Sequence, residues 1–285
     1  MEQVSTRTQR RRIQRISVTG DGPAGAQADL LAVEEPLEIR IGGQALTVTM
    51  RTPGDDLDLV AGFLFTEGLL SPAVDLRQIR MCDENVADAT LETSDLPAPE
   101  ALARATDTRR AQRNFLTTSA CGVCGKESID AIRVRSRYDL VIDQVRVSSS
   151  VLAALPGRLR EAQRVFASTG GLHAAGLFTA DGTLLVLRED VGRHNAVDKV
   201  IGWALRAGRL PLTGCVLLVS GRASFELVQK AAVAGIPVLA AVSAPSSLAA
   251  DLADEVGMTL VGFLRGPSMN AYTGLERITA VPAPA

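Results

Sequence analysis

The sequence predicts an α/β protein, in which a C-terminal, mostly parallel sheet with helices on both faces follows a smaller, β-rich α+β region. Three observations support this fold class. From residue 176 onward, short β-branched runs alternate with segments of helical length, and strands separated by helices need the crossover connections of a parallel sheet. Between residues 36 and 50, apolar and polar residues alternate strictly, as they do in half-buried strands. The composition, 46% hydrophobic and 22% charged, is typical of a soluble globular protein with a sizeable core.

Residues 1–25 are predicted to be a flexible basic arm. Five arginines lie between residues 7 and 15, and a glycine-rich stretch follows at residues 20–25. Because basic runs are usually solvated, we interpret the arm as partly disordered in preference to a docking element. Paired arginines also occur in twin-arginine export signals, but no apolar segment follows them here.

Residues 26–113 are predicted to form the N-terminal α+β region. Alternating apolar residues on both sides of Gly42-Gly43 indicate a β-hairpin with one buried face. The run Pro53-Gly54-Asp55-Asp56 precedes apolar residues at helical spacing, which predicts a capped helix that ends near Gly68. Weaker alternation, followed by acids and prolines, predicts a surface excursion between residues 72 and 113, in which Cys82 is structural.

Residues 114–128 are predicted to be a reactive cysteine loop. Cys121 and Cys124 stand three residues apart among glycines and small polar residues, and Lys126 would favour the thiolate. Such a pair can hold zinc, act as a redox dithiol or pass on a sulfur atom as a persulfide. Structural zinc normally requires a second ligand pair, and the other Cys and His residues are isolated in the sequence. A flexible loop suits sulfur relay best, and the redox dithiol stays open.

Residues 129–275 are predicted to form the α/β domain, and residues 276–285 a C-terminal tail. An amphipathic helix is expected at residues 151–164. The predicted strands lie at residues 176–178, 184–187, 216–220, 238–242 and 259–263, and the helices between them at residues 195–206, 224–234 and 246–256. Cys215 and Trp203 are expected to pack in the core.

Four loops of this domain carry polar and charged residues, and ligands of such sheets bind beyond the carboxyl ends of the strands. The loops span residues 168–173, 188–195, 220–224 and 263–270. They supply glycine-rich backbone amides, two imidazoles and three guanidinium groups, from His173, His194, Arg193, Arg222 and Arg265. Ser220-Gly221-Arg222 has the strand, glycine turn and helix order of a phosphate cradle. Together the loops predict a site for a polyanion such as a nucleotide or pyrophosphate.

Charge and composition argue against several classes of function. The formal net charge of -2 gives no reason to expect nucleic acid as a partner. Four cysteines, two of them isolated, do not resemble the disulfide framework of a secreted protein. Because there is neither an apolar run of membrane-spanning length nor a hydrophobic signal core, we expect a cytoplasmic protein that binds no membrane.

Several of these motifs in combination resemble the FdhD family of formate dehydrogenase accessory proteins. The resemblance extends from about Glu34 to Tyr272 and rests on residues 118–125, 169–173 and 188–199, Ser220-Gly221-Arg222 and Phe263-Leu264-Arg265-Gly266. It implies a sulfurtransferase that acts as a sulfur carrier. Such a carrier receives sulfur from a cysteine desulfurase and passes it to the bis(molybdopterin guanine dinucleotide) molybdenum cofactor. This sulfuration is required for formate dehydrogenase activity.

The resemblance also implies roles for individual residues. Cys121 would hold the persulfide, and Cys124 would assist or exchange as the second thiol. The segment Phe263-Leu264-Arg265-Gly266-Pro267-Ser268 would bind the cofactor. The remaining candidates for contacts with its phosphates and guanine nucleotide are Ser220, Gly221, Arg222, Arg193, His194 and His173. A homodimer is expected from the same resemblance.

The C-terminal region of this family is similar to cytidine deaminases in fold, which raises the alternative of a zinc deaminase. Those enzymes need H-x-E followed by P-C-x-x-C. Here Ala174 and Ala175 follow His173, and the C-x-x-C pair lies upstream of it. Deamination is therefore rejected, and no zinc or other bound metal is expected. A non-catalytic chaperone for the molybdenum cofactor of formate dehydrogenase is the main alternative function, and a dithiol oxidoreductase is the third.

Overall fold

The computed structural model describes residues 7–17, 23–70, 74–93 and 136–280. The strands in these residues are β1 (Thr8–Ile16), β2 (Pro23–Ala32), β3 (Glu35–Ile41), β4 (Gln44–Arg51), β5 (Val74–Asp83), β6 (Val86–Thr93), β7 (Val147–Ser148), β8 (His173–Thr179), β9 (Leu184–Asp190), β10 (Cys215–Val219), β11 (Val238–Ala241), β12 (Thr259–Arg265), β13 (Ser268–Thr273) and β14 (Ile278–Thr279). The helices are α1 (Asp56–Thr66), α2 (Ser149–Ala162), α3 (Arg164–Thr169), α4 (Arg193–Arg206), α5 (Phe225–Val233) and α6 (Ser247–Glu255), with a 3-10 turn at Leu275–Arg277. The predicted α/β class is confirmed.

The N-terminal sheet contains the predicted hairpin. Its strand order is β4-β3-β6-β5, with β3 and β4 antiparallel across the two glycines. Gly42 and Gly43 both have positive φ, 58° and 81°, as a two-residue hairpin turn demands. Leu37, Ile39 and Ile41, two residues apart on β3, are all buried. Their shared face packs in the same hydrophobic cluster as α1 and α4, so the two sheets are covered by one continuous core.

Helices α1 and α4 cross at a point where neither has a side chain. A Cβ atom at Gly62 would lie 1.8 Å from the Asp198 carbonyl oxygen, and one at Gly202 would lie 1.8 Å from the Asp58 carbonyl oxygen. The two backbones therefore approach until they touch, which no other residue type would allow. This crossing fixes the N-terminal region against the helix that follows β9.

The six-stranded sheet has the order β13-β12-β11-β10-β8-β9, and helices cover both of its faces. Strand β10 shows the two faces most plainly. Leu217 and Val219 belong to the cluster shared with α4, α5 and α6, whereas Val216 and Leu218 belong to the cluster shared with α2. Five of the six strands, all except β13, were predicted within a few residues, as were the helices α2, α4, α5 and α6.

The six-stranded sheet is mixed, and the predicted parallel direction is shared by four of its six strands. Strands β10, β11 and β12 are parallel neighbours, but β8 is antiparallel to both β9 and β10, and β13 is antiparallel to β12. The reason is connection length. Residues 180–183 join β8 to β9 and residues 266–267 join β12 to β13, and such short links cannot cross over the sheet. Strands β9, β10, β11 and β12, which are connected through α4, α5 and α6, run in one direction, and β8 and β13 run in the other.

The predicted basic arm contains regular structure, which corrects the expectation of a flexible segment for its described residues. Strands β1 and β2 form an antiparallel two-stranded ribbon that pairs Thr8 with Ala32 and Ile16 with Pro23. Arg-rich β1 alone carries little apolar periodicity, so its strand is visible only through its pairing with β2. Near its base, the Arg7 guanidinium forms an ion pair with Asp55 at 2.6 Å.

None of the helices in the described residues is long and apolar enough to cross a membrane.

Candidate functional site

The four polar loops predicted from the sequence meet at one edge of the six-stranded sheet. Strands β9, β10 and β12 all end at this edge, and β8 begins there because it runs antiparallel to its neighbours. A short series of contacts joins them. The Gly221 carbonyl oxygen accepts a hydrogen bond from the Ser243 amide at 3.2 Å, and the Ser243 carbonyl oxygen accepts one from the Phe263 amide at 3.1 Å. The expected convergence of these loops is confirmed.

His173 and Ser220-Gly221 form the centre of the edge. The Ser220 hydroxyl oxygen accepts a hydrogen bond from the Ala174 amide at 2.9 Å, which fixes the turn after β10 against the start of β8. A Cβ atom at Gly221 would lie 3.4 Å from His173 Nδ1. Because glycine has no Cβ atom, the space beside the imidazole stays open. Burial lowers the pKa of His173, and the positive charge of Arg193 lowers it further. The imidazole is therefore neutral at pH 7.

Arg193 begins α4 beside this imidazole. Its N-cap, Gly192, supplies no side-chain hydrogen bond, and the first turn of the helix contains no acid. The Arg193 Nε atom is buried without a hydrogen-bond partner in the described part of the chain. A buried donor without a partner is costly, and a helix N-terminus attracts anions. The start of α4 is therefore suited to an anionic group that would accept from Arg193.

A buried ion pair fixes the loop between β9 and α4, directly before Arg193. Lys199 Nζ lies 2.7 Å from Asp190 Oδ2 and donates to the Thr52 carbonyl oxygen at 2.8 Å. Asp190 Oδ1 accepts from the Gly192 amide at 2.8 Å and from Asn195 Nδ2 at 3.0 Å. Both charged side chains are at most 1% exposed. The end of β4 and the loop after β9 are thus joined into one rigid support.

His194 is already bonded to another side chain. Its Nε2 atom lies 3.0 Å from Glu226 Oε2, and the Ser224 hydroxyl donates to the same carboxylate at 3.0 Å. The hydrogen bond from His194 lowers the pKa of Glu226 to about 2. His194 therefore connects the start of α4 to the start of α5, and a role in ligand binding would require it to share or leave this contact.

The segment Phe263-Leu264-Arg265-Gly266-Pro267-Ser268 forms the turn between β12 and β13. Its members divide into two groups: Leu264 lies fully buried in the core, and the other five are exposed. Leu264 therefore cannot contact a ligand through its side chain, which corrects its place among the predicted binding residues. Phe263 has a φ of 49°, a left-handed conformation that is strained for a residue of this kind.

That conformation keeps an aromatic ring at the surface while the next residue turns into the core. The Phe263 side chain is 39% exposed, and the guanidinium carbon of Arg265 lies 5.8 Å from the centre of the ring. Arg265 Nε donates to the Val242 carbonyl oxygen at 3.0 Å, which anchors the side chain and leaves its terminal nitrogens available. An exposed ring beside an anchored guanidinium group is able to stack a planar group and to contact a phosphate.

The positive charge at the edge is only partly balanced by neighbouring acids, of which Glu226 lies close enough to Arg193 for the arginine to help lower the pKa of its carboxyl group. Arg222 and Arg265 are exposed, and within the described ranges no carboxylate forms an ion pair with them or with Arg193. The nearby acids are used elsewhere, Asp190 by Lys199 and Glu226 by His194. The arrangement therefore favours a ligand with several negative charges.

Comparison with known proteins shows the family of the chain. A model of the FdhD/NarQ family matches residues 32–279. The chain belongs to the FdhD/NarQ family. A relative from Mycolicibacterium paratuberculosis, described as sulfur carrier protein FdhD, is 57% identical over 95% of this chain and 98% of its own. Relatives with the same description are 57% identical in Nocardia farcinica, over 97% and 96% of the two chains, and 43% identical in Sulfolobus acidocaldarius, over 93% and 97%.

A solved structure has a similar fold. The crystal structure of a candidate formate dehydrogenase accessory protein from Desulfotalea psychrophila is similar with a TM-score of 0.74 and 25% sequence identity. The match covers 96% of this chain and all of the other. The likeness to cytidine deaminases stays a prediction.

Cys121 and Cys124, together with the whole predicted loop at residues 114–128, lie outside the described residues. Their roles therefore stay predictions, as does the expected absence of zinc. The boundaries proposed for the domains also stay predictions. Cys82 is exposed and Cys215 is buried, and the core position predicted for Cys215 is thus confirmed.

Two parts of the site were missed from the sequence. Lys199 lies between Val197 and Val200 on the buried face of α4, and a charge among apolar neighbours is a signal that it has a buried partner. Ser243, in the loop after β11, contributes backbone groups only, and no side-chain pattern could have revealed it. Arg188 lies in a predicted loop but pairs with Asp58 at 2.7 Å, and so it is structural.

Proposed function

We propose that this protein is a sulfurtransferase that accepts persulfide sulfur on Cys121 from a cysteine desulfurase. It then transfers that sulfur to the bis(molybdopterin guanine dinucleotide) molybdenum cofactor on which formate dehydrogenase activity depends. The observation that carries the proposal is the edge of the six-stranded sheet, where Arg193, Arg222 and Arg265 lack carboxylate partners among the described residues. Membership of a family whose relatives are described as sulfur carriers supports the chemistry.

The proposed substrate matches the edge in charge and in shape. The cofactor carries two guanine dinucleotides, whose pyrophosphates are polyanionic and whose bases are planar. Guanidinium groups bind phosphate oxygens through paired hydrogen bonds, and the buried Arg193 Nε would gain the acceptor that it lacks. The exposed ring of Phe263 offers a face on which a guanine could stack.

The sulfur step needs a thiolate and no external oxidant. The Cys121 thiolate would attack the outer sulfur of the desulfurase persulfide, and the bond between the two donor sulfurs would break. The donor cysteine leaves as a thiolate, and Cys121 keeps the transferred sulfur as its own persulfide. Cys124 would assist delivery as the second thiol. Its thiolate would attack the inner sulfur of the Cys121 persulfide, the bond between the two persulfide sulfurs would break, and the outer sulfur would leave as sulfide for the cofactor. The two cysteines would be left as a disulfide, which a thiol reductant returns to thiols. A homodimer is part of the same proposal.

Intact-protein mass spectrometry tests the carrier chemistry. The protein is incubated with a cysteine desulfurase and cysteine, and its mass is measured with and without a thiol reductant. We expect a gain of one sulfur atom that the reductant removes and that Cys121→Ala abolishes. Cys82→Ala is the control, because Cys82 is an exposed cysteine outside the predicted loop and its loss should not affect loading. No gain of mass in the parent protein would contradict a carrier.

The same variants separate the carrier from the alternative of a non-catalytic cofactor chaperone. A chaperone would keep most of its ability to activate formate dehydrogenase after Cys121→Ala, whereas a sulfur carrier would lose it. A dithiol oxidoreductase would instead show a disulfide between Cys121 and Cys124 without added sulfur.

Nucleotide affinity tests the binding site independently. Arg222→Ala should weaken binding of a guanine nucleotide, GDP, while sulfur loading of Cys121 stays unchanged, because the arginine binds phosphate and takes no part in sulfur chemistry. Arg146→Ala removes an exposed arginine outside the edge and is the matched control. Equal GDP affinity of Arg222→Ala and the parent would count against this site.

A further inference from the structure

The ribbon of β1 and β2 is an antiparallel sheet of only two strands, nine and ten residues long. In the described residues β1 pairs with β2 and with no other strand, and β2 packs on α3. Almost every residue of β1 is exposed. A two-stranded ribbon is marginally stable by itself in water, and the outer edge of β1 presents backbone groups ready to pair with another strand. The ribbon is thus a small sheet to which a further strand can be added along β1.

The base of the ribbon lies next to the candidate site. The Val33 amide donates to the Arg7 carbonyl oxygen at 3.0 Å, and this closes the ribbon where it joins the body. A Cβ atom at Gly171 would lie 3.6 Å from the Ala32 side chain, and Gly171 belongs to the predicted loop that leads into His173. A partner bound along β1 would therefore be held beside the edge to which sulfur is delivered.

The charge on the ribbon is almost entirely positive. Arg10, Arg11, Arg12 and Arg15 are all exposed, and the two strands contain a single acid, Asp29, opposite Arg11. Within the described ranges, none of the four guanidinium groups forms an ion pair. Since side chains alternate between the two faces of a strand, Arg10 and Arg12 share one face and Arg11 lies on the other.

We propose that β1 is a docking edge for an acidic, extended segment of a partner protein, which adds to the ribbon as a third strand. The inference rests on the proposed function, because a sulfur carrier must meet both its donor and its recipient. Backbone hydrogen bonds would supply the pairing, and acidic side chains opposite the arginines would select the segment.

Other occupants of this edge fit less well. A second copy of the chain would place arginines opposite arginines along β1, and like charges directly opposite each other are destabilising. A nucleic acid would satisfy the guanidinium groups but not the backbone groups of a strand edge, and the chain as a whole carries a net charge of -2. Arginines on an edge also protect it from pairing with uncharged strands, and this protection leaves an acidic strand as the accepted partner.

A labelled peptide of eight residues, in which threonine and glutamate alternate, tests the proposal by fluorescence anisotropy with the full chain. We expect saturable binding that salt weakens. Two further peptides carry N-methyl groups at alternate backbone nitrogens, one set for each edge of the strand. Strand addition predicts that one of these two loses binding and the other keeps it. If both bind as well as the parent peptide, the attraction is charge alone and the proposal fails.

Variants of β1 identify the site. The double variant Arg10→Thr/Arg12→Thr keeps strand-forming residues and should bind the acidic peptide about tenfold more weakly. Arg146→Thr/Arg209→Thr, which removes two exposed arginines elsewhere, should bind it as the parent does. The reversed variant Arg10→Glu/Arg12→Glu should prefer a peptide with lysine in place of glutamate. Equal weakening by both arginine-removing variants would place the binding outside β1.

Sulfur loading of Cys121 is measured on the same variants, so that the two proposals can fail separately. Normal loading without peptide binding would overturn the docking edge and leave the carrier intact. Peptide binding at β1 without any sulfur gain in the parent would overturn the carrier and leave the docking edge.

Discussion

The charges buried beneath the candidate site and the charges at its surface differ in whether they have partners. Below the site, Lys199 pairs with Asp190, and Lys230 pairs with Asp198. At the edge of the sheet, Arg222 and Arg265 are exposed and form no ion pair with described residues. The comparison shows two uses of charge in one molecule: paired charges fix the positions of helices and loops, and unpaired charges are left available for a ligand.

Lys230 shows why a buried charge needs a partner. Burial acts to lower the pKa of Lys230, but the carboxylates of Asp198 and Glu67 outweigh burial and raise it. The ammonium group therefore stays charged in the core, where it also donates to the Thr66 hydroxyl at 2.9 Å. These bonds join α1, α4 and α5, so the same contacts that satisfy the charge hold the three helices together.

The largest expected effect is on the buried pair beneath Arg193. Lys199→Met leaves Asp190 buried without its cation, and breaking such a pair costs about 4 kcal/mol. Urea unfolding monitored by circular dichroism measures this loss. The control is Arg77→Met, which breaks an exposed pair with Glu92 and should cost less than about 1 kcal/mol. Similar losses for the two variants would contradict the distinction between buried and exposed charge.

The next effect is expected at the helix crossing that supports the pair. Gly202→Ala places a methyl group where the Asp58 carbonyl oxygen lies, and we expect a loss of about 3 kcal/mol because α1 and α4 must separate. Gly157→Ala, in α2 with nothing within 4 Å of the added atom, should instead stabilise the protein by about 0.5–1 kcal/mol. Thermal unfolding of both variants provides the measurement, and an equal change would disprove the close approach.

A smaller effect, on binding and not on stability, is expected at the edge. Arg193→Gln removes a guanidinium group that has no partner at Nε, so the free energy of unfolding should change by less than about 1 kcal/mol. GDP affinity should fall about tenfold, because a charged hydrogen bond to phosphate is lost. Isothermal titration calorimetry measures the affinity, with Arg209→Gln as control. Loss of stability without loss of affinity would show that Arg193 has a structural role, like Lys199, and does not bind the nucleotide.

The smallest effect is a shift in one titration. The pKa of Glu226 is about 2 in the folded protein, below its ordinary value of 4.5, chiefly because His194 bonds to it. The contact therefore stabilises the fold above about pH 4.5, and this contribution is lost as the pH falls toward 2. In His194→Gln the pKa of Glu226 should rise toward its ordinary value, as measured by carbon-13 NMR of the carboxyl group. An unchanged titration would show that another group lowers this pKa.

Local pattern was enough to predict most of the elements. The two glycines between alternating runs predicted the hairpin of β3 and β4, and the apolar spacing after Asp55 predicted α1. The four loops at the site were found because polar residues with glycine flank apolar strands. These signals depend on residues close in sequence, and that is why they can be read from it.

Strand direction and charge pairing were not predicted with the same success. The sheet is mixed because residues 180–183 are too short for a crossover, and the strand in the basic arm becomes visible only when β2 pairs with it. Leu264 was expected at the ligand and lies in the core, because the left-handed turn at Phe263 exchanges the faces of the two side chains.

The sequence by itself determined five of the six helices of the described residues, half of their strands and the chemical groups at the edge, because period and residue type are local properties. The tertiary structure alone decided which charges are free. Lys199 and Arg193 are six residues apart on one helix, yet the first meets Asp190 and Thr52 in the core and the second reaches the edge with an unpartnered donor. Free and paired charges look alike in a sequence, since their partners come from distant segments that only folding brings together.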